Sequence, residues 1–216
     1  GGTGVSLVGG SVNQTEAESA STVKAYIEGN VTIITAGDVS VGADLGGTVI
    51  SRAQAPDTSV TLLSLGVVKV IASFANDTVS AYIAGDANVT GSSVDVIANA
   101  SGTATAIAEQ PNTSVSGVNS SEIYAEARVI SRIVTASIGS GATVISTGTE
   151  EDDGVNVAAA STTALDASSV HNTGTNINLV GVGKYTIKTY VGRHSTTAKI
   201  DGTVKAENNI WLTAAD

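Results

Sequence analysis

Apolar and polar residues alternate in short runs along nearly the whole chain. The clearest runs are Asp38-Val39-Ser40-Val41, Ser93-Val94-Asp95-Val96, Gly154-Val155-Asn156-Val157 and Asn209-Ile210-Trp211-Leu212. A period of two puts successive side chains on opposite faces, so each run predicts a strand with one apolar face. Helix-period runs are nearly absent; the best, over 16–24, is short and breaks into a strand pattern. In the middle of the chain the pattern predicts strands over 67–73, 78–84, 94–98, 103–108 and 113–118. Their separators, Asn76-Asp77, Gly85-Asp86, Gly91-Ser92 and Pro111-Asn112, are turn formers with defined backbone roles.

The runs also recur. Ala25-Tyr26-Ile27 returns as Ala81-Tyr82-Ile83, and 82 − 26 = 56. Looser copies follow at Ala136-Ser137-Ile138, where 138 − 83 = 55, and at Ala198-Lys199-Ile200, where 200 − 138 = 62. Pro56-Asp57-Thr58-Ser59-Val60 returns as Pro111-Asn112-Thr113-Ser114-Val115, and 111 − 56 = 55. Self-similarity at a fixed period marks units that bury their apolar faces only against neighbours. A β-sandwich would need hairpin pairing and would not require the repeat. The expected fold is therefore an all-β, right-handed parallel β-helix (a β-solenoid) of 56-residue repeats, forming a single continuous segment over 1–216 with landmarks at Tyr26, Tyr82, Ser137 and Lys199. Two to three coils per repeat are expected, of about 19 or about 28 residues, making a rod on the order of 35–55 Å long at the interstrand spacing. Val39, Val41, Val94, Val96, Val155, Val157, Ile210 and Leu212 are expected to point inward as aliphatic ladders, with Ile27, Ile83, Ile138 and Ile200 forming another.

Composition supports strands built from small side chains. Gly numbers 24 of 216 and aromatics are only 3%, so many valines, alanines and threonines must make the core. The formal charge of −10 argues against nucleic acid as a partner, because phosphate contacts need clustered Lys and Arg. The charge is uneven: residues 1–183 carry 5 bases and 17 acids (−12), whereas 184–216 carry 5 bases and 3 acids (+2). Cysteine is absent, which excludes disulfide staples and cysteine-built zinc sites. No apolar run approaches the roughly 18 residues of a membrane span. With no initiator Met and no signal peptide, and with repeat-like sequence at both ends, the chain reads as an excised segment or a mature product.

The segment Thr22-Val23-Lys24-Ala25-Tyr26-Ile27-Glu28-Gly29-Asn30-Val31-Thr32, followed by Ala36-Gly37-Asp38-Val39-Ser40-Val41, resembles repeats of the large leukotoxin-family filamentous adhesins of Gram-negative bacteria, related in style to haemagglutinin-like passengers. Its second copy runs from Thr78-Val79-Ser80-Ala81-Tyr82-Ile83 to Val89-Thr90. The resemblance implies a secreted, non-enzymatic, surface-exposed parallel β-helix. Its location would be extracellular, at the bacterial cell surface, and its partner a protein or glycan on a host or neighbouring cell. It brings no catalytic residues with it.

Candidate chemistry is sparse. Glu150-Glu151-Asp152-Asp153 offers carboxylates to a hard cation such as Ca2+ but lacks the spaced ligands of a calcium loop, so a solvated inserted loop is the competing reading. His171 and His194 have no adjacent acid or nucleophile signature. Seven Asn-x-Ser/Thr sequons begin at Asn13, Asn30, Asn76, Asn88, Asn99, Asn112 and Asn119, which leaves glycosylation open in an exported protein. Tyr26 and Tyr82 occupy equivalent positions, either as a structural ladder or as an aromatic surface for sugars. Alternation places Trp211 outward, opposite Ile210 and Leu212, as a contact for a partner or for a neighbouring loop. The leading expectation is an adhesin segment. The alternatives are an extracellular fibre subunit stacking end to end through unpaired strand edges, and a polysaccharide-acting β-helix enzyme.

Overall fold

The structure, a computed structural model, describes residues 3–54, 58–109, 113–170 and 176–216. Pro56-Asp57, Pro111-Asn112 and His171 lie outside the described residues. Fourteen strands follow one another: β1 (Thr3–Ser19), β2 (Thr22–Glu28), β3 (Thr32–Ile34), β4 (Val39–Leu45), β5 (Thr48–Gln54), β6 (Thr58–Ala84), β7 (Asn88–Gly91), β8 (Val94–Glu109), β9 (Thr113–Ile138), β10 (Thr143–Ser146), β11 (Gly154–Val170), β12 (Asn176–Ile200), β13 (Thr203–Ala206) and β14 (Asn209–Ala215). There is no helix among the described residues. All strands pair in parallel, in three sheets. The long sheet has the order β1-β6-β9-β12, with β2 also on β6. The short sheet has the order β3-β7-β10-β13, and the third sheet β4-β8-β11-β14 with β5 also on β8. The chain visits long, short and third sheets in turn and then begins again.

Register explains the repeat. Ile27 pairs with Ile83, Ile83 with Ile138 and Ile138 with Ile200, so the expected isoleucine ladder forms. Val41, Val96, Val157 and Leu212 form a second ladder. Parallel stacking sets equivalent positions of successive units side by side, which makes like residues recur at the pairing interval. That interval is 56 (83 − 27) and then 55 (138 − 83) in the long sheet, and 55 (96 − 41) in the third. Two or three coils per repeat would bring partners together at a half or a third of that interval. The described strands instead pair one whole repeat on, so that division, and the rod length built on it, are corrected. The interval is 55 between Val89 and Val144 but 61 between Val94 and Val155. Six added residues therefore sit between Ser146 and Gly154.

The core lies between the long and third sheets. In one cluster Val79, Ala81 and Ile83 of β6 meet Val94, Val96 and Ala98 of β8, with Val89 of β7 closing the end. In the other, Val68, Val70, Ala72 and Phe74 of β6 meet Ala104, Ala106 and Ala108 of β8. β6 and β8 thus run in opposite directions across the core. Alanine on one side lets the sheets approach closely, and this is why so few aromatics suffice. Asn76-Asp77 is not a turn, because β6 runs unbroken from Thr58 to Ala84. The true corner follows that strand, at Gly29, Gly85 and Gly141, with φ of 88°, 69° and 86°. A Cβ on Gly85 would stand 2.9 Å from the Gly29 nitrogen, so stacking as well as the left-handed backbone excludes a side chain there.

Candidate functional site

Between the two apolar clusters lies a column of polar side chains that sequence reasoning missed. Asp77, Arg132 and His194 occupy equivalent positions on β6, β9 and β12. Arg132 is 0% exposed and Asp77 1%. The Arg132 guanidinium donates to Asp77 Oδ2 through one terminal nitrogen at 2.8 Å and through Nε at 3.3 Å. Its other terminal nitrogen donates to Thr163 Oγ1 at 2.5 Å, and its central carbon lies 4.4 Å from the centroid of the Phe74 ring. The second Asp77 oxygen accepts the Ser21 amide at 3.1 Å. Room for the guanidinium comes from Gly102, where a Cβ would meet the Phe74 ring at 2.5 Å and Arg132 at 3.2 Å. His194 Nε2 lies 2.7 Å from Ser161 Oγ. Asp77 and Arg132 are buried with each charge paired, so they join the sheets, while the half-buried His194 also lies 3.6 Å from the exposed Asp216 carboxylate. The available signal was the interval, since 132 − 77 = 55 sets opposite charges one repeat apart.

The Tyr26 and Tyr82 rings do stack, with centroids 5.2 Å apart and planes inclined by 9°. The separation is close to the interstrand spacing of about 4.8 Å, so each ring lies over its equivalent one repeat on. The Tyr82 hydroxyl donates to Glu28 Oε2 at 3.4 Å; burial, then the Glu28 carboxylate, push it above the usual phenol range. Mutual stacking takes up one face of each ring, making a ladder along the repeat, while Tyr26 remains 58% exposed. Trp211 stands in register with Asn156, Asp95 and Ser40, and its neighbours Ile210 and Leu212, expected to point inward, are 50% and 53% exposed on the terminal strand. Trp211 itself is 38% exposed because its ring folds over the Gly154 backbone, where a Cβ would approach the indole to 2.6 Å.

The acidic run is the inserted turn between β10 and β11. The Glu150 amide donates to Asp153 Oδ2 at 2.8 Å, the Asp153 amide to the Glu150 carbonyl at 3.0 Å, and Ser92 Oγ to Asp153 Oδ1 at 3.2 Å. The Asn208 side chain donates to the Glu150 carbonyl. Both Asp153 oxygens are thereby used to close the turn. Among the described residues, no three acids or histidines converge as metal ligands.

Outward on the long sheet, a charged cluster crosses the units. Arg128 reaches Glu16 at 2.8 Å, Lys188 reaches Glu126 at 3.3 Å and Lys184 reaches Glu122 at 3.0 Å. The Tyr124 hydroxyl donates to Glu126, and Lys69 and Lys188 lie over its ring at 5.8 and 5.2 Å. Burial alone would raise the Glu126 carboxyl. Hydrogen bonds from Tyr124 and Lys188, with the charges of Lys188 and Arg128, outweigh it and hold the group below the ordinary carboxylate range. Hydrogen bonding to Tyr124 and then to Glu126 holds Lys188 above the usual ammonium range.

These features define an all-β protein of parallel strands stacked in register. No family model, curated protein or solved structure matches the chain. No helix among the described residues is long and apolar enough to cross a membrane, which leaves strand-built spans unaddressed.

Proposed function

We propose that the chain is a segment of a right-handed parallel β-helix, one turn per repeat, that works without catalysis as part of an adhesin on the outer surface of a Gram-negative bacterium. The observation that carries this reading is the register: equivalent residues pair one whole repeat apart in all three sheets. At about 4.8 Å per turn, four turns rise only on the order of 20 Å, whereas the strand of β6, 27 residues long, runs on the order of 90 Å along its path. Such a design puts its residues into broad outer faces, which suits contact with another cell better than reach. The resemblance of the 22–32 segment to adhesin repeats supports the same conclusion. The test is saturable binding of the labelled, folded chain to host epithelial cells and to Gram-negative cells, with glycan and protein competitors. Specific binding that a competitor displaces is expected; a folded chain that binds neither surface overturns the reading.

End-to-end assembly of copies is a second reading, favoured by one observation. Extending the register one step past β12 would set Ile200 beside a second copy's Ile27, Ala198 beside Ala25 and Lys188 beside Glu16. Filaments seen by negative-stain microscopy that Lys188→Glu shortens, and that Glu16→Lys with Lys188→Glu restores, would place assembly first. A monomer at every concentration removes it.

A further inference from the structure

The last turn is closed over only half its length. β11 pairs with β8 over 155–170, but on its other side β14 pairs with 154–160 alone. Among the described residues, no strand pairs with the 161–170 half of that edge. The consequence shows on the facing β12. Register sets Ile187 beside Ala125 and Val191 beside Val129. Ala125 and Val129 are wholly buried, whereas Ile187 is 46% and Val191 56% exposed. Leu165 and Ala167 of β11 still pack on the buried cluster, but only partly covered. An open strand edge and an uncovered apolar wall therefore meet in one groove, roughly 30 Å long over about ten residues.

We propose that this groove takes up an extended peptide segment of a partner protein, which adds to β11 as a parallel strand and covers Ile187 and Val191. This goes beyond the adhesin reading and does not depend on it. Continuity defines the occupant, because in each earlier turn the same place is filled by a strand parallel to its neighbours. The inward positions there are Val49, Ser51 and Ala53 in β5 and Ala104, Ala106 and Ala108 in β8, all buried. On the facing wall β12 carries Ile187 where β9 has Ala125, so less room is left for the incoming side chains. The segment must therefore present alanine, glycine or serine at alternate positions, with its polar residues between them facing outward. Main-chain bonds to the β11 edge supply affinity, and the small alternate side chains supply selectivity. A second copy does not fill the groove. Stacked on β12 through its β1 and β2, it would carry its own β4 and β5 one turn further on.

The probe is a synthetic peptide with the sequence of residues 101–109, the end of β8, which fills the equivalent place in the second turn. Amide hydrogen exchange of the 216-residue chain with this peptide, read by mass spectrometry, tests the proposal. At about ten times its dissociation constant, the peptide should slow exchange within 161–170 about tenfold. Ile187→Lys should abolish that protection at unchanged far-UV circular dichroism, and Ile187→Val should retain it. In the peptide, Ala106→Lys should prevent binding and Thr105→Lys should not, because only the first points inward. No protection of 161–170 up to millimolar peptide overturns the proposal. So does binding that survives Ile187→Lys, or that tolerates Ala106→Lys as well as Thr105→Lys. Protection of 161–170 that rises with protein concentration alone and excludes the peptide assigns the groove to a second copy and equally overturns it.

Discussion

Removing the Asp77 carboxylate should destabilise the protein more than almost any single change at its surface. Asp77→Ala leaves Arg132 fully buried, keeping its bond to Thr163 and its place over the Phe74 ring but losing both bonds to Oδ2. A buried cation deprived of its partner costs about 3–5 kcal/mol, against a total stability of about 5–15 kcal/mol. For a chain of this size each kcal/mol moves the thermal midpoint by about 2–4 °C, so a fall of roughly 6–20 °C is expected. The companion variant Asp77→Leu with Arg132→Met removes both charges. It should recover all but about 1–3 kcal/mol, the remainder being the Ser21 amide left without its acceptor and the Thr163 hydroxyl without its donor. Lys199→Ala is the control: it breaks the pair with Asp201 at 2.6 Å, which is exposed and worth about 0–1 kcal/mol. Thermal unfolding followed by circular dichroism measures all three. The reasoning fails if Asp77→Ala falls no further than Lys199→Ala, or if the double variant falls as far as Asp77→Ala.

Val96→Asp should prevent folding, since Val96 is wholly buried among Val41, Val157 and the long sheet; Asp95→Val should cost only about 1 kcal/mol, the loss of the outward bond from Asn156 at 3.2 Å, and equilibrium urea unfolding separates them. Gly85→Ala should cost at least 1–2 kcal/mol (roughly, from the left-handed backbone alone) and more from the contact with Gly29, while Gly42→Ala, with nothing within 4 Å, should be near neutral in the same assay. The pair of Glu126 and Lys188 predicts a pH window. A carboxyl lowered in the folded state stabilises above its unfolded pKa and loses that as pH falls through its folded value, and an ammonium raised in the folded state stabilises below its unfolded pKa and loses that as pH rises through its folded value. Stability should therefore plateau between the acid and strongly alkaline ranges, and Glu126→Gln should flatten the acid limb of the midpoint–pH profile; an unchanged limb would show that the carboxylate contributes nothing.

The repeat was legible because parallel stacking enforces it. A residue that suits a ladder suits it in every unit, so Ile27, Ile83, Ile138 and Ile200 recur at the pairing interval. How far the chain travels before meeting itself was not legible, because the interval alone does not say how many sides a unit has. Turn chemistry misled at Asn76-Asp77. Aspartate next to asparagine reads as a turn when the alternative is a buried charge, and only a cation one repeat later makes that alternative tolerable. The same comparison finds Glu126 with Lys188 and Glu122 with Lys184, each 62 apart and each bonded across the sheet. Charge at the repeat interval was thus readable wherever it was complementary. Exposure at the strand starts escaped for the opposite reason. The valine and leucines over 58–66 look like core, yet Val60, Leu62 and Leu65 are exposed and belong to neither buried cluster. A period-two pattern specifies a face but not what covers it.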